Sequence, residues 1–470
     1  MTGQAGSSQN AREVDVVVIG MGPGGEDAAE KLAEAGVAVA GVESRLVGGE
    51  CPYWGCIPSK MMIRAADLLA EGRRIPGLAG HSEVTPDWAQ VARRIRDEAT
   101  DNWDDTVAAD RFTGKGGLLV RGHGRITAPG EVTVTPVPAP GEDPAAGQVL
   151  RARRGILINT GTAPAIPPIP GLAGTPFWTN REAIEAERVP ASLVVLGGGA
   201  IGAELSQVFA RFGSRVTVAE AAGQLLPMEE PEAGDVLAEA FRADGIGVHT
   251  GQPAARVSHG SGGFTVTLAD GTELTGEALL VATGRRADLA GAGVGAVGID
   301  ESLRAIPVDD HLRAAPGVWA IGDITGKGAF THISMYQARI ALADILGEEA
   351  SRAEYHAVPR VTFSDPEIGA VGLTGAQARD QGLAVRVGMT ALSSSTRGWI
   401  HRASGFIKLI ADADRGILVG ATSAGPVGGE VLSMLTLAVH ARVPVARLRE
   451  MIYAYPTFHR AVEAALADLA

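Results

Sequence analysis

Cysteine is almost absent from this chain: Cys51 and Cys56 are the only two among 470 residues, and none follows Cys56. A chain of this length does not need stapling, and a reducing cytoplasm rarely keeps a structural disulfide, so a disulfide scaffold is a weak explanation. None of the ten histidines pairs with the cysteines at finger-like spacing, which makes a poor zinc site, and no metal is expected. Positive charge is also short: 41 Lys and Arg face 54 Asp and Glu, a net charge of −13. Such a balance repels phosphate backbones and anionic lipid, which excludes nucleic acid as a partner. There is no apolar run of ~18 residues, and the polar start "MTGQAGSSQNAR" has no signal-peptide pattern. The expectation is a soluble, cytoplasmic protein with no membrane segment. The two cysteines are left with redox or nucleophilic work, or with the role of inert buried thiols.

The 46 % apolar content is enough to fill two or three domains, which the length demands. Residues 14–19, "VDVVVI", run into "GMGPGG", then into the helical pattern "EDAAEKLAEAG" and the strand "VAVAGVE". This is a βαβ unit in which Gly20, Gly22 and Gly25 fit G-x-G-x-x-G and Glu43 ends the second strand. Glycine permits the tight turn and lets backbone N–H groups reach a pyrophosphate at a helix N-terminus, while the carboxylate accepts from ribose hydroxyls. Residues 193–220 repeat the pattern with Gly197, Gly199, Gly202 and Glu220. The chain therefore carries two dinucleotide sites.

Two further stretches, "ILINTGTAPAIPPIPG" (156–171) and "LLVATGRRADL" (279–289), read as buried strands closing on Thr-Gly turns. The strand "GVWAIGD" (317–323) ends in Asp323, either pointing into a cofactor crevice or capping a helix. The Pro-, Gly- and Ala-rich 132–150 reads as a surface hairpin or loop. From about residue 351, "VPRVTFSDPEIGAVGLT" and the residues after it lack a glycine fingerprint and form a third domain. Expected boundaries are 1–165 with 290–350 for the first domain, 166–289 for the second and 351–470 for the third.

Across nearly the whole chain these residues resemble the class I flavoprotein disulfide reductases, the pyridine nucleotide-disulfide oxidoreductases that include lipoamide dehydrogenase, glutathione reductase and mercuric reductase. "GGECPYWGCIPSK" (48–60) is similar to their G-G-x-C-x-x-x-x-C-x-P-x-K signature. The resemblance implies an α/β fold: two Rossmann-like domains for FAD and NAD(P), plus a C-terminal α+β domain that forms a homodimer with a shared active site. It implies that Cys56 is the flavin-proximal thiol and Cys51 the outer thiol, and that Lys60 pairs with Glu204 beside the flavin. Implied cofactor contacts are Gly20, Gly22, Gly25, Glu43, Gly49, Lys60, Gly124, Thr160, Gly161, Gly197, Gly199, Ile201, Gly202, Glu220, Gly284, Arg285, Gly322, Asp323 and Thr331. The residues themselves agree: cysteines five positions apart at a helix opening can close a small ring, and the helix dipole favours a thiolate. Glu220 suits the free 2′-hydroxyl of NAD and repels a 2′-phosphate, so NAD(H) is expected, with NADP(H) left possible by Arg215 before the strand.

Two departures from the family pattern concern the acceptor. Where the family's C-terminal His-Pro-x-x-x-Glu would stand, the chain reads "YAYPTFHRAVEAALADL", with Tyr455 and Arg460 in the matching places. Tyr455 is a candidate hydrogen-bond donor to the acceptor, and His459, one helical turn on, a candidate substitute base. Pro52, Tyr53 and Trp54 between the cysteines set two rings beside the pair, either to narrow access or to stack a planar acceptor. The expected function is electron transfer from NAD(P)H through flavin and a Cys51–Cys56 disulfide to a small acceptor other than a lipoamide- or glutathione-type disulfide. The alternatives are a dihydrolipoamide dehydrogenase-like disulfide reductase that uses His459, and a flavoprotein component of a larger assembly.

Overall fold

The strand Ala11–Ile19 is β-branched and almost wholly apolar at its buried end, which suits a central strand covered on both faces. In the computed structural model, which describes residues 11–137, 147–349 and 351–469, it is flanked by two parallel neighbours. Val16 sits opposite Val39 in Val39–Glu43 on one side, and Ile19 opposite Ile158 in Gln148–Ile158 on the other. Leu118–Arg121 extends the sheet beyond Val39–Glu43, Val318–Ala320 extends it beyond Gln148–Ile158, and antiparallel Arg313–Ala315 closes that edge. The antiparallel pair His123–Ala128 and Glu131–Thr135 attaches to the start of Gln148–Ile158, completing eight strands. The expected hairpin thus exists in its flanks, and residues 138–146 lie outside the described residues.

Period-two alternation sends Val16 and Val18 to one face, against Leu32, Ala338 and Ile340 of the helices Pro23–Glu34 and Thr331–Leu346. Val17 and Ile19 go to the other, against Ile156, Ile158, Leu289 and Ile306. These elements belong to one compact unit made of Met1–Pro58, Arg96–Ala163 and Arg285–Glu354.

The second unit comprises Ser59–Ile95, Pro164–Gly284 and Tyr355–Ala470. Its parallel sheet has four strands in the order Gly247–Thr250, Arg215–Glu220, Ser192–Leu196 and Ala278–Val281, beside a three-stranded antiparallel sheet, Ala254–Gly260, Gly263–Leu268 and Glu273–Gly276. A five-stranded antiparallel sheet comes next, in the order Pro359–Thr362, Glu367–Gly372, Ile417–Gly425, Phe406–Asp412 and Val385–Ala391. The helices Gly428–His440 and Arg460–Asp468 pack Leu432, Leu435, Val462 and Leu466 onto its Ile407 and Leu409. Two Rossmann-like sheets and a C-terminal α+β domain are the expected fold class. Among the described residues no helix is long and apolar enough to cross a membrane.

Inside the second unit, one buried cation ties three segments together. Arg211 ends the helix Ala200–Arg211 and is 3 % exposed, donating to Asp67 at 2.7 Å, Asp365 at 2.8 Å and Asp244 at 3.1 Å. Burial pushes the Asp67 carboxyl up to about 6 against the pull of Arg211. Burial also works on Asp365, but there Arg211 and Arg74 outweigh it and hold the carboxyl low. Removing the guanidinium would leave three crowded carboxylates, of which Asp365 keeps Arg74 as a partner. Arg211→Met is therefore expected to destabilise the protein by about 3–5 kcal/mol, read as a lower urea midpoint. Removing the exposed pair Arg447–Glu450, 72 % and 63 % exposed, is expected to cost less than about 1 kcal/mol. Equal midpoint shifts for the two would contradict this account.

Candidate active site

Gly20 takes φ +91°, and a Cβ there would stand 2.4 Å from the Asn159 carbonyl oxygen. Only glycine fits this turn. A Cβ on Gly25 would meet the Gly20 oxygen at 2.1 Å, so the helix Pro23–Glu34 packs directly on the turn. Gly22 occupies the N-cap with no side chain capping the helix, and Pro23 follows at N1. No side chain caps the start of this helix, as an anionic ligand at that end requires. Glu43, 7 % exposed, closes the motif from the strand end, accepting from Met21 N and Arg45 N, both at 2.8 Å. Burial raises its pKa against these two donors.

The second motif is built the same way. Gly197 has φ +104°, a Cβ on Gly202 would meet its oxygen at 1.9 Å, and one on Gly199 would meet nothing within 4 Å. Gly199 is the N-cap of Ala200–Arg211, again without a side-chain cap, and half-buried Ile201 lies in the first turn. Glu220 accepts from Gly198 N at 2.6 Å and Ala222 N at 2.7 Å. In both motifs the acid holds the residue after the first glycine and the residue two beyond itself.

Cys51 lies in the helical turn Glu50–Trp54, which Gly49 opens at φ 67°, and Cys56 opens the helix Cys56–Arg74. On one continuous helix, side chains five apart would diverge by about 140°. The break at Gly55, φ −131° and ψ −119°, interrupts that spacing, and the two thiols are near enough to perturb each other. Neither is joined in a disulfide; Cys51 is half-buried and Cys56 exposed. Thr331, the first residue of Thr331–Leu346, sets its hydroxyl 3.4 Å from the Cys56 sulfur. It is Cys56 that sits at the long helix's N-terminus. The Cys51 thiol is instead raised, first by the Cys56 thiol and then by burial, against the Thr331 hydroxyl. A lowered thiol is therefore not found at Cys51.

Farther along the helix, Lys60 meets Glu204 at 2.7 Å. Glu204 is 6 % exposed and is not a surface charge. Its other oxygen accepts from Phe363 N at 2.9 Å, and the Lys60 ammonium stands 4.7 Å from the Phe363 ring centroid.

The remaining expected contacts fall at strand ends and turns. Gly49 packs against Gly22, where a Cβ would meet the Gly22 Cα at 2.8 Å, and Gly124 lies close over Ile19 and Val42. Thr160 is exposed, while Gly161 and Gly284, at φ +65° and +111°, have open space where a Cβ would stand. Gly322 and Asp323 form a 3-10 turn, Gly322–Thr325. Asp323 is not a helix cap; it accepts from the Thr162 hydroxyl at 2.8 Å, and Arg285 donates to that hydroxyl at 2.9 Å and to the Thr162 carbonyl at 2.6 Å.

Two expectations need correction. Tyr53 is 6 % exposed and its hydroxyl faces the Asp104 carbonyl at 3.5 Å, so it packs inward rather than offering a stacking surface. Its pKa is pushed up to about 12 by burial and by the carboxylates of Asp105, Glu26 and Asp104. Only Trp54, tilted 56° to it, keeps some exposure. Residues 455–459 are turns rather than a helix, because Pro456 has no N–H to donate and the helix begins at Arg460. Tyr455 is 65 % exposed with its hydroxyl 3.2 Å from Thr396 Oγ1, the Arg460 guanidinium lies 5.4 Å from its ring, and half-buried His459 holds the N-cap position. A shared helical face is not what relates them.

Sequence reasoning missed Asn159, which donates to the Gly20 oxygen at 3.2 Å and accepts from Ser334 at 3.1 Å. It missed Gln337, which accepts from Gly322 N at 2.6 Å, and Thr162. Polar residues immediately after a strand-end turn were the available signal for Asn159 and Thr162; Gln337 gave none.

Two glycine-turn motifs and a cysteine pair at a helix opening define a dinucleotide-dependent redox enzyme. Residues 14–338 match the pyridine nucleotide-disulphide oxidoreductase family model and residues 358–466 its dimerisation domain, and the chain belongs to that family. It is 33 % identical over 458 residues to a mercuric reductase of Acidithiobacillus ferrooxidans, covering 96 % of this chain and 82 % of that one. It is 33 % identical over 469 residues to a dihydrolipoyl dehydrogenase of Chlorobaculum tepidum, covering 97 % of each. The solved HOCl-induced flavoprotein disulfide reductase RclA of Escherichia coli superposes with a TM-score of 0.83 at 27 % identity, covering 97 % of this chain and 99 % of that one. The family uses FAD and a nicotinamide nucleotide, and the uncapped helix N-termini with clamped glycine turns fit both.

If the carboxylate holds the first turn, Glu43→Ala frees the N–H groups of Met21 and Arg45, and the purified variant is expected to lose most of its flavin on gel filtration. Glu220→Ala, which opens the other turn, is expected to keep its flavin. Full flavin retention by Glu43→Ala would show that the clamp is dispensable.

Proposed function

We propose that the protein is a homodimeric NADH-dependent flavoenzyme that reduces the Cys51–Cys56 pair and passes the electrons to a small acceptor other than a lipoamide- or glutathione-type disulfide. The observation that carries the reading is the proximity of the two thiols at the opening of Cys56–Arg74. FAD, when bound, supplies a two-electron carrier between nicotinamide and sulfur. Residues 1–165 and 290–350 hold it in this reading, 166–289 hold the nicotinamide nucleotide and 351–470 form the dimer interface. Gly20, Gly22, Gly25, Glu43, Asp323 and Thr331 bind and orient the flavin nucleotide. Lys60, fixed by Glu204, supplies the cation that stabilises negative charge on the reduced ring.

The choice of NADH rests on Glu220. Its carboxylate closes the second motif, where it suits a 2′-hydroxyl and repels a 2′-phosphate. Arg215 begins the same strand, roughly 16 Å from its other end, and is out of reach of a ligand there. NADH is expected to exceed NADPH in kcat/KM at least about tenfold, or about 1.4 kcal/mol, with Glu220→Ala narrowing the gap. Faster turnover with NADPH would contradict this assignment.

The acceptor reading rests on the missing His-Glu pair. Tyr455 stands in the corresponding place and, with His459, belongs to the segment through which a second copy completes the acceptor pocket. Lipoamide, glutathione disulfide and mycothiol disulfide are expected to be poor substrates beside a quinone, and His459→Ala is expected to leave quinone turnover within about twofold, as for a residue off the main path. Efficient disulfide turnover that collapses in His459→Ala would instead establish a disulfide reductase with a substitute base. Slow reduction of every small acceptor despite fast flavin reduction would point to a component of a larger assembly.

A further inference from the structure

The helix Ala200–Arg211 begins on the second glycine turn and is buried along most of its length, yet it carries polar side chains at 204, 207 and 211. Positions three and four apart share one helical face. Glu204, Gln207 and Arg211 are 6 %, 3 % and 3 % exposed, and buried polar groups of this kind are stable only where their hydrogen bonds are made. All three bond to residues 363–365, in the same compact unit as themselves and Lys60.

Glu204 accepts from Phe363 N at 2.9 Å with one oxygen and from Lys60 at 2.7 Å with the other, and the Lys60 ammonium lies 4.7 Å from the Phe363 ring centroid. The place of the ammonium thus depends on how Phe363 is held. Two residues on, Gln207 grips the backbone of Asp365. Its amide oxygen accepts from Asp365 N at 2.8 Å, and its amide nitrogen donates to Asp365 O at 3.0 Å and to Asp244 at 3.0 Å. Arg211 and Arg74 hold the Asp365 carboxylate instead. A carboxylate on a rotatable side chain locates its residue without fixing the peptide planes around it. An amide paired with both the N–H and the C=O of one residue fixes them.

Resting on the role given to Lys60 above, we propose that Gln207 is a positioning residue for that cation. By clamping Asp365 it sets the Phe363 N–H that orients Glu204, and Glu204 sets the ammonium. The bonds of Gln207 run to Asp365 and Asp244, so it acts on Lys60 only through this chain of contacts. None of them involves the glycine turn at the other end of the helix, so nucleotide affinity is left alone.

The test is anaerobic stopped-flow reduction of the flavin by NADH in the full-length holoenzyme, with rates taken per bound flavin. Gln207→Met keeps the length of the side chain and removes both bonds to Asp365. It is expected to lower the limiting rate about tenfold, as small misplacements of a group at a reaction centre do, with the half-saturating NADH concentration within about twofold of wild type. Glu204→Gln is expected to slow reduction about as much, and the double variant to be no slower than the slower single one, because both act through one ammonium. Ser206→Ala is the control: it lies on the same helix, its buried hydroxyl has no hydrogen-bond partner among the described residues, and the wild-type rate is expected. Gln207→Asn, whose amide is too short to reach both groups, is expected to slow reduction equally and serves if the Met variant does not retain flavin.

A wild-type limiting rate in Gln207→Met or Gln207→Asn overturns the proposal. So does a double variant slowed by the product of the two single effects, or a Ser206→Ala as slow as Gln207→Met. Lys60→Met separates this failure from that of the reading beneath it. A slowed Lys60→Met beside an unslowed Gln207 variant removes the positioning role alone, whereas Lys60→Met at the wild-type rate removes the flavin role of Lys60 itself.

Discussion

A strand-end carboxylate holding two backbone N–H groups is the constraint on which the rest of this structure depends. Glu43 fixes Met21 and Arg45, and Glu220 fixes Gly198 and Ala222. Each clamp ties the residue after a turn's first glycine to the neighbouring parallel strand, so the helix that follows starts from a fixed turn without a side-chain cap. Hydrogen bonds to a charged acceptor are stronger than neutral ones, which suits a turn that must survive the arrival and departure of a charged ligand. The two motifs share this arrangement despite different surroundings, which marks it as a property of the unit rather than of one site.

Around the first clamp, the polar interior of the turn is fully occupied. Asn159 links the Gly20 carbonyl to Ser334, and Gln337 links Gly322 to Thr325. These buried side chains satisfy one another as well as the backbone, which ties the glycine turn to the helix Thr331–Leu346. Thr331, the first residue of that helix, stands 3.4 Å from the Cys56 sulfur. The break at Gly55 completes the arrangement from the other side by ending one helical turn and beginning a long helix at Cys56.

Most of this was legible where the signal is local. A run of β-branched residues, a glycine turn, an apolar helical period and an acid some twenty residues on lie within one short segment, and the structure builds both copies as read. Cys51 and Cys56 were legible for the same reason. The partners of Asn159, Ser334 and Gln337 lie far away in sequence, and nothing in the local pattern distinguishes a buried amide from a loop residue. Tyr53 was misjudged because its burial depends on Asp104 and the elements around it, not on its neighbours. The turn at 455–459 was misjudged for a local reason, since Pro456 already argued against a helix there.

The central claim is that the two sulfurs and the flavin form one electron store. Anaerobic titration of the oxidised holoenzyme with NADH, followed by the loss of flavin absorbance, measures the size of that store. Since flavin and disulfide are each two-electron couples, complete reduction is predicted at about two equivalents of NADH per flavin, falling to about one in Cys51→Ser. An end point of one equivalent in the wild-type protein, with the cysteines still oxidised, would contradict it.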